Sequence, residues 1–99
     1  MSFEGRWDLT VTSPMGTKVF RLDLRTEGGA LQGTASTGGE TTPMVDPAVQ
    51  DGHLRWAMRL PRPMNAVLEV EVVRDGDTLS GSAKAGHMVL PGVRGVKVP

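Results

Sequence analysis

Trp7-Asp8-Leu9-Thr10-Val11-Thr12-Ser13-Pro14-Met15 decides the fold, because it recurs as Trp56-Ala57-Met58-Arg59-Leu60-Pro61-Arg62-Pro63-Met64. The two tryptophans stand 49 residues apart, and Pro14-Met15 keeps that spacing to Pro63-Met64. After one deletion the spacing is 48, which relates Leu22 to Val70, Gly33 to Gly81, Ala35 to Ala83 and Pro43 to Pro91. A repeat of this kind is one supersecondary unit used twice. Its halves cover about residues 5–50 and 54–98.

Within each half the period is two. Trp7, Leu9 and Val11 alternate with Asp8, Thr10 and Thr12, and Phe20, Leu22 and Leu24 alternate with Arg21, Asp23 and Arg25. Such alternation marks strands with one buried and one wet face. A third strand over Ala30 to Ser36 turns Leu31, Gly33 and Ala35 inward, and a fourth falls within Thr42 to Gln50, where Pro43 and Pro47 interfere with pairing. The second half repeats the pattern through Trp56, Met58 and Leu60, then Leu68, Val70 and Val72, then Leu79, Gly81 and Ala83. A last strand runs from about Val89 to Val98. Glu27-Gly28-Gly29, Asp51-Gly52 and Asp75-Gly76-Asp77 have the composition of tight hairpin turns. No useful helical period exists to supply a covering layer. The expected fold is therefore all-β, an eight-stranded antiparallel up-and-down barrel with an internal two-fold repeat, in which closure buries the apolar face and removes the edges. A flattened sandwich, or a half-open barrel completed by a second copy, is the competing architecture.

Composition narrows the function classes. The 99 residues make a single domain over 1–99, large enough for a modest core. The absence of cysteine excludes disulfides, thiol nucleophiles and thiolate metal sites. Eleven basic and eleven acidic side chains cancel and are scattered singly, so no net field favours nucleic acid or an anionic membrane. No apolar run approaches the ~20 residues of a membrane-spanning helix. The Met1-Ser2-Phe3-Glu4-Gly5 start has neither the basic nor the apolar region of a signal peptide. A cytoplasmic location is expected.

Gly5-Arg6-Trp7 resembles the Gly-x-Trp that opens the strands of lipocalins, fatty-acid-binding proteins and avidins, the calycin group. The chain is also similar to uncharacterised bacterial small-barrel domains with that start and paired Gly-rich hairpins. The resemblance implies a barrel whose first tryptophan closes one end, often against an arginine of the last strand. Arg94 is the late arginine here. The chain departs from true lipocalins in its short length and in lacking their cysteines and helix, so no specific ligand carries over.

Successive hairpins of such a barrel alternate between its ends. One end receives the tight turns at Gly28, Gly52 and Gly76; the other receives the loops at 13–16, 38–40, 61–65 and 85–88. The second rim is the expected mouth, because binding groups concentrate on longer loops over a rigid scaffold. Met15, Met64 and Met88 lie there, either as a soft apolar lip or as a plug. Glu40 and His87 break the repeat's symmetry on related loops, which makes them a candidate acid–base pair or two solvated polar residues. Inward Gly33, Gly81, Ala35 and Ala83 either leave a cavity or let the strands bend. The two histidines, His53 and His87, fall at opposite ends, no metal-ligand spacing exists, and no cofactor motif is present.

Three functions follow in order. The first is a barrel binding a small hydrophobic or aromatic molecule, lined by Trp7, Phe20, Leu22, Trp56, Met58, Leu68 and Val70 with Met15, Met64 and His87 at the mouth, and offering at least ~300 Å³. The second is a cofactor-free isomerase, cyclase or lyase in which Glu40 and His87 move a proton. The third is a homodimeric interaction module using Val67, Val73, Met88 and Leu90 on the outward parity.

Overall fold

The computed structural model describes residues 3–14, 16–59 and 67–99. They form one antiparallel sheet curled into a nearly closed barrel. The strands are β1 (Gly5–Ser13), β2 (Gly16–Glu27), β3 (Ala30–Thr37), β4 (Glu40–Pro43), β5 (Val45–Gln50), β6 (His53–Arg59), β7 (Val67–Asp75), β8 (Thr78–Ala85) and β9 (Met88–Lys97). Their order is β4-β3-β2-β1-β9-β8-β7-β6-β5, so β1 and β9 meet at the centre and β4 and β5 form the two edges.

There are nine strands among the described residues, where eight are expected. The difference lies in the fourth. Only Met44 separates β4 from β5, yet β4 pairs with β3 while β5 pairs with β6 at the far end of the sheet. Two prolines explain the break, since neither Pro43 nor Pro47 has an N–H to give to a ladder. Asp46 adds a left-handed kink at φ 48°. The pairing slips there: Val45 stands opposite Ala57 and Ala48 opposite Arg55, so Asp46 and Pro47 together face Trp56. This is a β-bulge, which bends its strand and increases the twist. At the seam the Met44 N–H donates to the Gly33 carbonyl at 2.9 Å, and β5 also approaches β3.

A second bulge sits on β9. Gly81 is opposite Val93 but Ala83 is opposite Leu90, leaving Pro91 and Gly92 against Ser82. The extra residue reverses the facing of everything before it. Leu90 therefore points into the core at 7% exposure, which corrects its expected place on the outer surface.

The interior is apolar throughout, with no buried polar or charged residue among those described. Trp7, Leu9, Phe20, Leu22, Leu54, Trp56, Met58, Leu68, Val70 and Val72 belong to one continuous cluster. Two fully buried indoles alone remove some 150–250 Å² each from water, an upper-bound stabilisation of roughly 4–6 kcal/mol apiece. Room for them comes from small residues on neighbouring strands. Trp7, Leu22 and Ala35 stand in one cross-strand row, and Trp56, Val70 and Ala83 in another. The inward glycines leave no open space. A Cβ on Gly33 would lie 2.6 Å from the Met44 sulfur, and one on Gly81 would lie 2.8 Å from the Val72 Cα and still closer to the Glu71 carbonyl oxygen.

Gly81→Ala therefore forces main chain against main chain. It should lower stability by about 3 kcal/mol, near the top of the range for overpacking. Gly76→Ala, strained only by its φ of +61° with open space beside it, should lose about 1 kcal/mol. Urea unfolding midpoints measure both, and equal losses would contradict the close approach at Gly81.

Candidate functional site

The end of the barrel holding the turns at Gly28, Gly52 and Gly76 is sealed by a built contact, while the hairpins at 38–39 and 86–87 of the other rim, expected as longer loops, are two-residue turns as well. Chain just ahead of β1 folds inward, burying Phe3, and the Trp7 Nε1–H donates to the Phe3 carbonyl at 3.0 Å. Two cations lie over the Trp7 ring, Arg74 at 5.2 Å and Lys97 at 5.7 Å from its centroid. The register explains why Lys97 takes this place and Arg94 does not. Lys97 pairs directly opposite Trp7 and shares its face, whereas Arg94 pairs with Thr10 and points out to solvent. The last strand is tied in by the Val98 N–H to the Arg6 carbonyl and the Lys97 N–H to the Asp77 carbonyl, both 2.8 Å.

Trp56 has no such arrangement. It is 3% exposed, yet its Nε1–H is the one buried side-chain donor or acceptor without a partner among the described residues. Trp7 finds its acceptor four residues upstream in a segment free to fold back. Four residues upstream of Trp56 is Gly52, committed to the hairpin turn that leads straight into β6. Leaving such a group unpaired costs roughly 1–3 kcal/mol.

A concavity of about 520 Å³, open to solvent, lies on the outer face of β5 to β9. Two cross-strand rows shape it: Val45, Ala57, Glu69, Lys84 and Val89 in one, and Arg55, Glu71 and Ser82 in the other. The short side chains of Ala57 and Ser82 keep its floor low, and the long charged ones form its walls. Trp56, Val70 and Ala83, whose side chains are buried, border it from the core side. Both bulges adjoin it, through Asp46 on one flank and Ser82 on the other. Bulges are over-represented beside functional sites because they re-aim side chains and interrupt pairing. Along one wall the Glu71 carboxylate bridges His53, Nδ1 to Oε2 at 2.7 Å, and Arg55, Nε to Oε1 at 3.4 Å. These groups are 40–59% exposed, so the network orients side chains and adds little stability.

Of the expected lining residues, Trp7, Phe20, Leu22, Trp56, Met58, Leu68 and Val70 are brought together, as packed core. Only Trp56 and Val70 among them also border the concavity. Met15 and Met64 lie outside the described residues. Glu40 opens β4 opposite Thr37, and His87 lies in the turn between β8 and β9; both are exposed, and no hydrogen bond or ion pair joins them among the described residues. No group of three or more His, Asp or Glu among those residues could hold a metal ion. Sequence reasoning missed Phe3, Lys97 and the His53–Glu71–Arg55 group. Glu71 between inward Val70 and Val72 was readable as an outward residue, but its partners are set by strand register.

Phe3→Ala retains the carbonyl that accepts from Trp7 and removes the ring beneath it. We expect a loss of about 3 kcal/mol, at the low end for a buried Phe truncation. The shift in thermal midpoint checks it; an unchanged midpoint would mean that this end is not sealed by Phe3.

No protein-family model, curated protein or solved structure matches this chain.

Proposed function

We propose that this chain is a small-molecule-binding β-barrel for a compact hydrophobic or aromatic ligand. The observation that carries the reading is the 520 Å³ concavity flanked by two bulges, with Val45, Ala57 and Val89 as the apolar part of its outward lining. Its volume lies within the range of small-molecule sites. The opposite fates of the two indoles support the same reading. Trp7 is capped and closes its end of the barrel, while Trp56 lies where the ladder is broken by Asp46 and Pro47.

The likeness to calycins is part of this proposal. A first-strand tryptophan under a cation from the last strand supports it, with Lys97 in the place that the resemblance assigns to an arginine. The internal two-fold is supported by matching registers: Trp7 opposite Leu22 and Leu22 opposite Ala35 correspond to Trp56 opposite Val70 and Val70 opposite Ala83. The site opens directly to solvent on the outer face of the sheet, with Val45 and Asp46 of the β5 bulge at its border.

Native mass spectrometry of the protein after exposure to a mixed library of apolar small molecules tests the proposal. A retained one-to-one adduct is expected. Clean protein under every condition would overturn it.

A second reading, a homodimeric module, is favoured by one observation. Val67, Val73, Val45 and Val89, all on β5, β7 and β9, are 36–61% exposed, while among the described residues β1 to β4 expose only Val19 of the large hydrophobic residues. Sedimentation over a range of concentrations decides it: a dimer weakened by Val89→Lys supports this reading, and a monomer at all concentrations opposes it.

A further inference from the structure

We propose that the concavity on the outer face takes an α-amino acid with an apolar or aromatic side chain, its ammonium held by Glu69 and its carboxylate by Lys84 and Ser82. The inference rests on the binding reading above and names the chemistry of the molecule that fits it.

The charged side chains around the concavity divide by whether the fold already uses them. Glu71 is committed to Arg55 through one carboxylate oxygen and to His53 through the other. Glu69 and Lys84 are not committed. They stand directly opposite each other on β7 and β8, both are exposed and both line the concavity. Among the described residues neither closes an ion pair or a hydrogen bond, even with the other. Directly opposite residues of an antiparallel pair have Cβ atoms about 4.5–5.5 Å apart, so a carboxylate and an ammonium rise side by side from neighbouring strands. Ser82 lies two residues from Lys84 on the same outward face, and its hydroxyl also has no partner among the described residues. Across the β9 bulge it faces Pro91 and Gly92, which bring no polar side chain to it.

An α-amino acid presents the complementary pair of charges one carbon apart. Its ammonium donates to Glu69, and its carboxylate accepts from the Lys84 ammonium and the Ser82 hydroxyl. Its side chain covers Ala57 and Val45, the next residues along the same row beyond Glu69. The balance of charge selects against singly charged molecules. A cation alone would leave Lys84 unmatched and close by. An anion alone would come up against Glu69 and against Asp46, whose carboxylate also stands at the border of the concavity. All these groups are open to solvent, so each contact contributes little and selectivity comes from making both.

The test titrates the protein with three probes of one skeleton: phenylalanine, phenethylamine, which lacks the carboxylate, and hydrocinnamate, which lacks the ammonium. Dissociation constants and the affected amides are read by nuclear magnetic resonance near neutral pH for the wild type, Lys84→Gln and Glu69→Gln. Phenylalanine should bind the wild type about fivefold more tightly than either of the others, the discrimination expected for one exposed charge pair. It should shift the amide signals of Ala57, Glu69 and Lys84. Lys84→Gln should lose the advantage over phenethylamine, and Glu69→Gln the advantage over hydrocinnamate. Both positions are exposed, so both variants keep the fold. Equal binding of the three probes, or tighter binding of a singly charged one, would overturn the inference and leave the binding reading standing. A preference for phenylalanine that is unchanged in both variants would overturn it too. Binding of none of the three would overturn the inference, and the library experiment above then shows whether the binding reading falls with it.

Discussion

Two indole side chains must fit inside one small barrel, and most of the structure follows from that requirement. Trp7 and Trp56 are both almost wholly buried, and interiors pack at near-crystalline density. Their neighbouring strands answer with Ala35 and Ala83 in the same rows and with Gly33 and Gly81 two residues away on the same face. At those glycines the chain comes so close to Met44 or to the β7 backbone that a methyl group has no room. Small inward residues here allow close approach and bending; they do not hollow out the barrel. The bulges serve the same end. They increase local twist so that a short sheet can curl around bulky contents.

The requirement is met differently at the two tryptophans. At Trp7 the chain supplies everything the ring needs: a packing partner in Phe3, an acceptor for its N–H, and two cations above its face. At Trp56 the corresponding chain is occupied by the Asp51–Gly52 hairpin, and the opposing strand is broken by Pro47. A donor that the fold leaves unpaired beside an interrupted ladder is a local inconsistency. Such inconsistencies concentrate where a protein does something besides fold.

Much of this architecture is legible in the residues themselves. The alternation of Trp7, Leu9 and Val11, and of Leu68, Val70 and Val72, identifies inward faces that the barrel does bury. Asp51-Gly52 and Gly28-Gly29 adopt the consecutive positive φ angles of tight hairpins that their composition implies. What escapes a sequence reading depends on register. Leu90 changes sides because Pro91 and Gly92 insert one residue more than period two allows. The fourth strand divides because Pro43 and Pro47 fall on ladders to opposite neighbours. Phe3 looks like part of an end segment, and only the folded chain reveals its carbonyl beneath Trp7. The candidate site is the least legible part, since the concavity is made by outward rows whose charges read as ordinary solvated surface.

The central claim is that the barrel encloses one satisfied indole N–H and one unsatisfied. The most direct measurement is the proton–nitrogen correlation spectrum of the ligand-free protein in the indole region, assigned by Trp7→Phe. Hydrogen bonding deshields the bonded proton, so the account predicts one downfield signal from Trp7 and one clearly upfield signal from Trp56. Both should be protected from solvent exchange, because both groups are buried. Two signals with the same hydrogen-bonded shift, or a Trp56 proton exchanging freely with water, would contradict it.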